Sequence, residues 1–333
     1  NEFLKKFGDN QRVFHQFLPY DLTLLVNSFL KNWKPNIVSF VDSEIWPNFI
    51  FGIKNKNIPL ILLNARITKK TLGRWLLFGK FSKKIFNIFS LCIASSNQSK
   101  DNLSLLEAKN IKYFGNIKFC SNPKAQIVSN KNQFEKVKNK KIWCAISTHD
   151  NEEIFCSEVQ KLVKKNFRDS MCIIIPRHVN RTKKIFSNLK KSDFRLQIKN
   201  EKDDIDNSAD IILINYYGAV NEFLRKIKNV FIGKSLVKKL IKVGGQNPIE
   251  AAKMGCSIFH GPFVSNFQEI YENLKDKKFS EEINNPKELA NKLIRNFKND
   301  GIVVDKEKLE QLDTYSNLIF KRVINEYEIL INE

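Results

Sequence analysis

The chain has 333 residues, 42% hydrophobic and 27% charged, a composition typical of globular proteins that excludes a disordered or fibrous chain. Lys and Arg total 56 against 35 Asp and Glu, so the formal net charge is +21. This charge favours an anionic partner, such as nucleic acid, anionic lipid or a phosphorylated substrate. A compositional bias from an AT-rich genome, which enriches Lys, Asn, Ile and Phe together, explains it equally well.

The sequence gives little reason to expect a metal or a membrane span. It contains no apolar run of the roughly 18–20 residues that a membrane-spanning helix needs. The six cysteines are scattered without C-x-x-C spacing, and several lie in apolar runs, as Cys172 does. We therefore expect buried, reduced thiols and no metal site. Neither a Walker P-loop nor a G-x-G-x-x-G motif after a strand is present.

In the first third of the chain, short apolar runs alternate with longer amphipathic stretches. The predicted strands are Ile37–Val41, Pro59–Leu63, Cys92–Ala94 and Ile111–Phe114. The predicted helices between them are Leu22–Trp33, Trp75–Phe89 and Gln98–Ala108. This alternation predicts a parallel sheet covered by helices.

A polar segment rich in Lys and Asn, from Phe119 to Lys141, predicts a linker before a second strand–helix series. The predicted strands of that series are Ile142–Ile146, Cys172–Ile175, Ile211–Ile214, Val230–Ile232 and Ser257–Phe259. The predicted helices are Glu152–Lys165, Val220–Lys226, Ile249–Met254 and a last one from about Leu309 to Leu330. Two successive doubly wound domains favour a ligand in the cleft between them, outside the carboxyl ends of the strands.

The strongest local motif is Gly244–Glu250, in which a glycine pair precedes a predicted helix start. Asn247 is a favourable N-cap, Pro248 fits the first helical position and Glu250 falls at the third. Backbone N–H groups at such a start stabilise a phosphate. A capping box, in which Glu250 bonds back to the cap, fits the same spacing and is favoured by spacing alone.

Polar residues follow several of the predicted strands at the point where each ends. Pro176-Arg177-His178 places a guanidinium after one strand, where it can bind a phosphate through two hydrogen bonds. The corresponding motifs after other strands are Glu44–Asn48, Asn64–Arg66, Gly115–Phe119 and Ser147–His149. Each is weak alone, since a surface arginine or a capping carboxylate has the same pattern, but all are predicted to face one cleft.

The motifs occur in the order found in a known enzyme family. They are His15 with Leu18–Asp21, Glu44–Asn48, Asn64–Arg66, Gly115–Phe119, Ser147–His149, Pro176–His178 and Gly245–Glu250. Together they resemble the 3-deoxy-D-manno-octulosonic acid (Kdo) transferase family, from about Val13 to Phe267. Gly261-Pro262 and Asn266-Phe267 are similar to a later element of that family.

The resemblance implies a GT-B fold, an α/β architecture of two Rossmann-like domains with an interdomain cleft. Residues 1–122 are then an acceptor-side domain incomplete at its N-terminus, residues 123–141 a linker, residues 142–308 a CMP-sugar-binding domain and residues 309–333 a C-terminal helix. The implied reaction is inverting transfer of Kdo from CMP-Kdo to a lipid A precursor, lipid IVA, in lipopolysaccharide biosynthesis. No metal or other cofactor is implied.

The resemblance also assigns roles to individual positions. The donor-binding positions are Pro176, Arg177, Tyr217, Gly218, Ala219, Asn247, Pro248, Ile249 and Glu250. Among them, Glu250 is the expected partner of the ribose hydroxyls. Glu44 and Lys118 match residues that stabilise the transition state. Further candidates for the cleft are Arg66, His149 and Ser235.

The sequence departs from the family pattern at four places. The family's general base is a Glu in a Gly-Glu turn upstream of the matched motifs, and that segment has no counterpart in this sequence. Ala219 replaces an acidic residue, and Gly233-Lys234-Ser235 replaces Gly-Gly-Ser. Roughly four extra residues lie within Lys238–Val243. The fold prediction is unaffected, whereas the expected donor affinity is weakened.

Lys69–Phe89 interleaves basic residues with aromatic and leucine side chains. Such a stretch is typical of a segment that lies on an anionic membrane or receives a phosphorylated glycolipid. An ordinary helix with a buried aromatic face fits equally well. The resemblance implies a peripheral location on the cytoplasmic face of the bacterial inner membrane, with an N-terminal anchor that is not in this chain.

The implied partners are CMP-Kdo, the lipid A precursor and the anionic membrane surface, and nucleic acid is not expected. Three other interpretations stay open. The chain could be a GT-B transferase for another nucleotide sugar, such as a UDP-sugar, or a catalytically inert remnant. It could also be a basic nucleic-acid-binding protein, which only the charge suggests, because no RNP, KH, zinc-finger or helix-turn-helix signature is present.

Overall fold

The computed structural model describes residues 12–121, 134–299 and 306–332. The chain forms two compact units, the first made of residues 1–117 and 318–333 and the second of residues 118–317. Residues 123–133 of the predicted linker lie outside the described residues, so the linker bounds stay a prediction. Within the described ranges, no helix combines the length and the apolar character needed to cross a bilayer.

The first unit contains a parallel sheet of four strands in the order β1-β2-β3-β4. Its strands are β1 (Val38–Val41), β2 (Leu60–Ala65), β3 (Leu91–Ala94) and β4 (Ile111–Lys112). Its helices are α1 (Thr23–Trp33), α2 (Pro47–Asn55), α3 (Lys69–Leu76), α4 (Lys80–Phe86) and α5 (Asn97–Leu105). The four predicted strands are confirmed, and β3 is buried along its whole length, as a strand covered on both faces must be.

The prediction of one helix over Trp75–Phe89 is wrong. The segment is divided between α3 and α4 by a turn at Gly79, whose φ of 51° lies in the left-handed region. Gly79 is the N-cap residue of α4, and glycine adopts its positive φ without steric cost, which a continuous helix would not allow. The apolar residues on both sides still have helical spacing, which explains why periodicity alone joined them.

The second unit contains a parallel sheet of seven strands in the order β11-β10-β9-β5-β6-β8-β7. Its strands are β5 (Lys141–Thr148), β6 (Ser170–Pro176), β7 (Leu196–Lys199), β8 (Ile211–Ile214), β9 (Asn229–Ile232), β10 (Ser257–His260) and β11 (Ser280–Glu282). Its helices are α6 (Glu152–Lys164), α7 (Thr182–Leu189), α8 (Ala219–Lys226), α9 (Ile249–Lys253), α10 (Gln268–Asp276) and α11 (Pro286–Lys298). The five predicted strands are confirmed, and β7 and β11 were not predicted.

The core of the second unit packs helices against the central strands. Trp143 on β5 and Phe231 on β9 are fully buried, and Phe259 on β10 joins the same cluster.

Five of the six cysteines are buried, and burial raises the pKa of Cys92 and of Cys256 to about 12. These thiols are therefore protonated near neutral pH, as expected of structural cysteines.

The last helix, α12 (Lys306–Asn332), supplies residues to both units. Residues up to 317 belong to the second unit, where the Phe119 and Tyr315 rings lie 5.3 Å apart. Residues from 318 belong to the first unit, where Lys112 forms an ion pair with Glu326 at 2.6 Å.

Candidate functional site

Polar segments meet at the carboxyl ends of three neighbouring strands of the second unit. The backbone N–H of Arg177 donates to the Thr148 carbonyl at 3.1 Å, which ties the end of β6 to the end of β5. The N–H of Gly233 donates to the Ile146 carbonyl at 2.9 Å, which ties the end of β9 to the other side of β5. The strand order reverses at β5, and doubly wound folds bind ligands outside the strand ends at such a point.

Arg177 follows β6 directly, and its predecessor Pro176 is buried. The Arg177 side chain is exposed and forms no ion pair with any residue that the structure describes. Its guanidinium can therefore bind a phosphate through charge-assisted hydrogen bonds without first breaking an internal one.

His149 is half-buried after β5, where its Nδ1 lies 3.0 Å from the Ser147 carbonyl oxygen. The His149 ring lies 6.0 Å from that of His178. Burial lowers the pKa of His149, the hydrogen bond to the Ser147 carbonyl opposes this shift, and the positive charges of Lys234 and Arg181 lower the pKa further. The imidazole is thus neutral near pH 7 and can accept a hydrogen bond at Nε2 when Nδ1 donates to the carbonyl.

A buried carboxylate that the sequence did not single out lies between these strand ends. Glu152, at the start of α6, is 1% exposed. Its Oε2 accepts hydrogen bonds from the backbone N–H groups of His149 at 2.9 Å and Lys234 at 2.7 Å. Its Oε1 accepts from those of Ser235 at 2.9 Å and Leu236 at 3.0 Å. Burial raises the pKa of Glu152, and the four donors oppose that rise.

The neighbouring Glu153, 3% exposed, makes the corresponding contacts on the other side of β5. Its carboxylate accepts from the Thr148 hydroxyl at 2.8 Å and from both terminal nitrogens of Arg181 at 3.0 and 3.1 Å. Arg181 follows β6 and also pairs with Asp150 at 2.7 Å. Two acidic residues in the first turn of a helix were the only sequence signal for this pair, and such residues usually just complement the helix dipole.

The segment after β9 is closely packed. A Cβ on Gly233 would lie 2.7 Å from Glu152 Oε2 and 2.7 Å from the Thr148 Cα, so only glycine fits there. The Ser235 hydroxyl donates to the Ile232 carbonyl at 2.7 Å and accepts from the Gly261 N–H at 2.9 Å. Ser235 is fully buried, so this candidate contributes to the backbone framework.

The glycine pair Gly244-Gly245 is closely packed in the same way. The Gly245 N–H donates to the Lys234 carbonyl at 2.7 Å, and Gly244 accepts from the Asn266 N–H at 3.0 Å. A Cβ on Gly244 would lie 2.2 Å from the Phe263 carbonyl oxygen. These glycines allow close approach of two backbone segments, and the Gly245 N–H donates within the fold.

The short helix α9 begins at Ile249 with Pro248 at the N-cap, one residue later than the predicted start at Asn247. Asn247 Oδ1 still accepts from the Ile249 N–H at 3.1 Å, while Pro248 and Ile249 are buried. Glu250 is half-buried, and burial raises its pKa. No hydrogen bond joins Glu250 to the Asn247 backbone among the described residues, so the geometry does not support a capping box.

The segment after β8 presents one exposed and two constrained residues. Tyr217 is 73% exposed, whereas Ala219 is 1% exposed at the start of α8. Gly218 between them has a φ of 86°, a conformation that glycine alone adopts freely. The chain therefore turns sharply from β8 into α8 with its tyrosine side chain open to solvent.

A cavity of about 790 Å³ adjoins the strand-order reversal in the second unit. Its walls come from the start of α6, the segment after β9 and the segment after β11. The lining includes His149, Glu152, Phe155, Leu236 and Lys239. The cavity thus combines apolar side chains with polar and charged groups of both signs.

The catalytic candidates of the first unit lie at the carboxyl ends of β1 and β2. Glu44 is exposed and its Oε2 accepts from the Trp46 indole N–H at 3.0 Å. The Arg66 N–H donates to the Asp42 carbonyl at 2.9 Å, so these two strand ends adjoin, as predicted. Lys118 falls in the second unit, where its Nζ lies 5.8 Å from the centre of the Phe267 ring.

The basic aromatic stretch has both buried and exposed faces. Phe86 is fully buried, and its ring contacts that of Trp75 at 5.3 Å. In contrast, Leu77 is 86% and Phe78 61% exposed in the turn between α3 and α4. A cavity of about 330 Å³ beside α4 is lined by Lys54, Lys80, Lys83, Lys84, Asn87, Ile88 and Glu107.

Among the described residues, no group of three or more His, Cys, Asp or Glu could hold a metal ion.

Comparison with known proteins identifies the family. Residues 1–121 match the 3-deoxy-D-manno-octulosonic-acid transferase (kdotransferase) family. A 3-deoxy-D-manno-octulosonic acid transferase of Rickettsia conorii is 30% identical over 322 residues, covering 92% of this chain and 68% of the relative. The chain belongs to this family. The corresponding transferase of Rickettsia typhi is 31% identical over 283 residues, which span 84% of this chain and 59% of that protein's length.

Solved structures confirm the predicted GT-B fold of two Rossmann-like domains. A glycosyltransferase from Rickettsia africae superposes with a TM-score of 0.57 at 17% identity, covering 99% of this chain and 88% of that one. A UDP-GlcNAc 2-epimerase from Neisseria meningitidis, bound to UDP-GlcNAc, gives a TM-score of 0.51 at 13% identity, with coverages of 91% and 81%. At such identities the likeness concerns the fold alone.

Proposed function

We propose that this chain carries the family's activity, the inverting transfer of Kdo from CMP-Kdo to a lipid A precursor in lipopolysaccharide biosynthesis. The observation that carries the proposal is the exposed guanidinium of Arg177 at the carboxyl end of β6, beside the strand-order reversal. Arg177 and the cavity next to the start of α6 supply a cation and a volume for a nucleotide sugar. Family membership selects CMP-Kdo among such donors.

The proposed chemistry is a displacement at the anomeric carbon. The acceptor hydroxyl oxygen forms the new bond to that carbon while the bond to the CMP phosphate oxygen breaks, and CMP leaves with the bonding electrons. Arg177 stabilises the charge that develops on the departing phosphate. The hydroxyl proton passes to a general base, which the resemblance assigns to a Gly-Glu turn upstream of the motifs matched here.

Further donor contacts are proposed at α9, α8 and Lys118. The half-buried carboxylate of Glu250 can accept hydrogen bonds from the ribose hydroxyls. Tyr217 and Gly218 flank the nucleotide, and Ala219 lacks the carboxylate that the family pattern has at this position. Glu44 and Lys118 stabilise charge in the transition state, and Arg66 and His149 contribute polar contacts.

We propose that the acceptor and the membrane surface are met by the first unit. Leu77 and Phe78 are exposed in the turn that precedes α4, and three lysines of α4 line a cavity. Apolar side chains beside lysines are the pattern of a segment that inserts at an anionic bilayer surface. The enzyme would then be peripheral on the cytoplasmic face of the inner membrane, where its lipid acceptor is presented.

The donor proposal is tested by thermal stabilisation of the 333-residue chain. CMP should raise the melting temperature in a concentration-dependent manner, because a ligand that binds only the folded state stabilises it. UDP should have a smaller effect at equal concentration. Stabilisation by UDP alone would assign the chain to another nucleotide sugar, and salt-sensitive RNA binding without any response to CMP would contradict the proposal.

A further inference from the structure

The carboxylate of Glu152 joins segments that are far apart in sequence. Three of its four hydrogen-bond donors are the successive N–H groups of Lys234, Ser235 and Leu236, more than 80 positions further along the chain. The fourth is the N–H of His149, just before the helix that carries Glu152. A carboxylate that only complemented its own helix dipole would not need donors from a distant segment.

The segments held by Glu152 contain unfavourable backbone conformations. Ser147 has a φ of 54° and Lys234 a φ of 59°, both in the left-handed region. Neither a serine nor a lysine is favoured there, because the Cβ atom comes too close to the following carbonyl oxygen. Strained residues persist only where surrounding contacts fix them, and they occur often at binding sites.

Glu153 extends this arrangement to the third strand end. Through Arg181 it holds the segment that follows Arg177 and His178, and through the Thr148 hydroxyl it is tied to the end of β5. Two consecutive carboxylates thus fix the segments on opposite sides of β5, one after β9 and the other after β6.

We propose that Glu152 and Glu153 are positioning residues of the donor site, which hold the strand-end segments in the geometry that binds the nucleotide. Glu152 sets the backbone of Lys234–Leu236 and the position of His149, and Glu153 sets the segment that carries Arg177. His149, Glu152 and Leu236 line the cavity of the second unit, so its shape depends on these contacts. The inference rests on the proposed function, because it assigns the geometry to donor binding.

Glu152→Gln is the sharpest test, because it removes the charge and keeps the shape. Each Glu152 oxygen accepts two backbone N–H groups, so the amide NH₂ must face two donors in either orientation. Glu158→Gln is the matched control, since it makes the same change at an exposed position of the same helix. Glu152→Asp keeps the charge on a shorter side chain and should have an intermediate effect.

CMP affinity is measured by calorimetry well below the melting temperature of each variant, together with amide hydrogen exchange. We expect Glu152→Gln to weaken CMP binding by about tenfold to 100-fold, the effect of displacing binding groups by about 1 Å. The amides of Lys234, Ser235 and Leu236 should exchange faster, while Glu158→Gln changes neither quantity. A purely structural role would lower the melting temperature without changing CMP affinity.

The outcomes separate this inference from the proposed function. If the wild-type chain does not bind CMP, the proposed function fails first. If the wild type binds CMP and Glu152→Gln binds it equally well, the positioning role is wrong, whatever the melting temperature does. Should Glu152→Gln fail to fold, Glu153→Gln serves instead, because only one of its oxygens accepts from two different residues. Unchanged CMP affinity in that folded variant would equally overturn the inference.

Discussion

The two sheets hold their carboxyl edges together in different ways. In the second unit, the buried carboxylates of Glu152 and Glu153 bind backbone N–H groups and an arginine. In the first unit, short polar side chains connect the segments that follow the strands. The Asn64 amide donates to Asp42 Oδ1 at 2.5 Å and its oxygen accepts from the Ile117 N–H at 3.3 Å.

The residues with positive φ at these two sheet edges also differ in type. The first edge places Asp42 and Asn64 at φ values of 56° and 52°, and these residue types tolerate that region well. The second edge places Ser147 and Lys234 there, which requires external support. The first edge is thus stable through local residue choice, whereas the second depends on distant contacts. For the nucleotide site that we propose at the second edge, a backbone fixed in advance lowers the cost of binding.

The largest effect is expected from Arg177→Ala in a form of the protein that transfers Kdo. Kdo transfer should fall by about 100- to 1000-fold, the loss seen when one pre-organised donor to a developing negative charge is removed. The measurement is the rate of transfer from CMP-Kdo to a lipid A precursor. This result would place the essential cation at the edge of the second unit.

Arg168→Ala is the matched control for Arg177→Ala. Arg168 is exposed before β6, whereas Arg177 follows it, so both variants lose the same charge at opposite ends of one strand. We expect near-normal transfer from Arg168→Ala. Near-normal turnover of Arg177→Ala would refute the donor assignment.

The next largest effect is expected on the binding of the first unit to anionic vesicles. Replacing Lys80, Lys83 and Lys84 with Glu should weaken binding to anionic vesicles by about 30- to 150-fold, since each lysine near such a surface contributes about 1 kcal/mol. Lys83 already pairs with Glu107 at 2.6 Å, so its share is the smallest. Vesicle co-sedimentation at low salt measures this loss.

The control for the lysine variant makes the same charge change in the second unit. Lys183, Lys190 and Lys191 are all exposed, and their replacement with Glu alters the net charge equally. If both triple variants lose the same affinity, total charge rather than the α4 surface attracts the membrane. Unchanged vesicle binding of the α4 variant would exclude the first unit as the membrane contact.

Much of this architecture could be predicted from the sequence because it depends on local patterns. Buried parallel strands are short apolar runs, and Ile211–Ile214 was predicted with the bounds that the structure has. Arg177 and Asn247 were found because each adjoins a strand or helix end that periodicity locates. The break at Gly79 was missed, since one glycine does not interrupt apolar spacing.

The contacts that were missed join residues distant in sequence. Nothing near Glu152 indicates that three of its four donors lie beyond position 230, and a pair of glutamates at a helix start has an ordinary explanation in the dipole. The close packing of the glycine pair was missed for the same reason. Its packing against Phe263 depends on a loop that the local sequence does not specify.

A smaller effect is expected on how the free energy of unfolding depends on pH. His260, at the end of β10, is 3% exposed, and burial lowers its pKa. The unfolded chain therefore takes up a proton near pH 6.5 before the folded chain does, so the free energy of unfolding falls as the pH drops below about 6.5. Denaturant unfolding between pH 5.5 and 7.5 should show a slope reduced by up to about 1.4 kcal/mol per pH unit in His260→Phe.

His15→Gln is the control for this pH dependence, because His15 is exposed in the first unit. Its slope should match that of the wild type. Part of the slope should survive in His260→Phe, since burial also lowers the pKa of His149. An unchanged slope in His260→Phe would show that the buried ring does not couple folding to pH.

The smallest effect tests the strain that distinguishes the second edge. Lys234→Gly should raise the free energy of unfolding by about 0.5–1 kcal/mol, because relief of a left-handed non-glycine residue outweighs the added flexibility of the unfolded chain. Lys242→Gly removes the same charge from a nearby exposed position that is not left-handed, and it should leave stability unchanged or lower it. Denaturant unfolding at pH 7.5 measures both variants. If Lys234→Gly were instead less stable than the wild type, the left-handed residue would not be a source of strain, and Glu152 would not be needed to offset it.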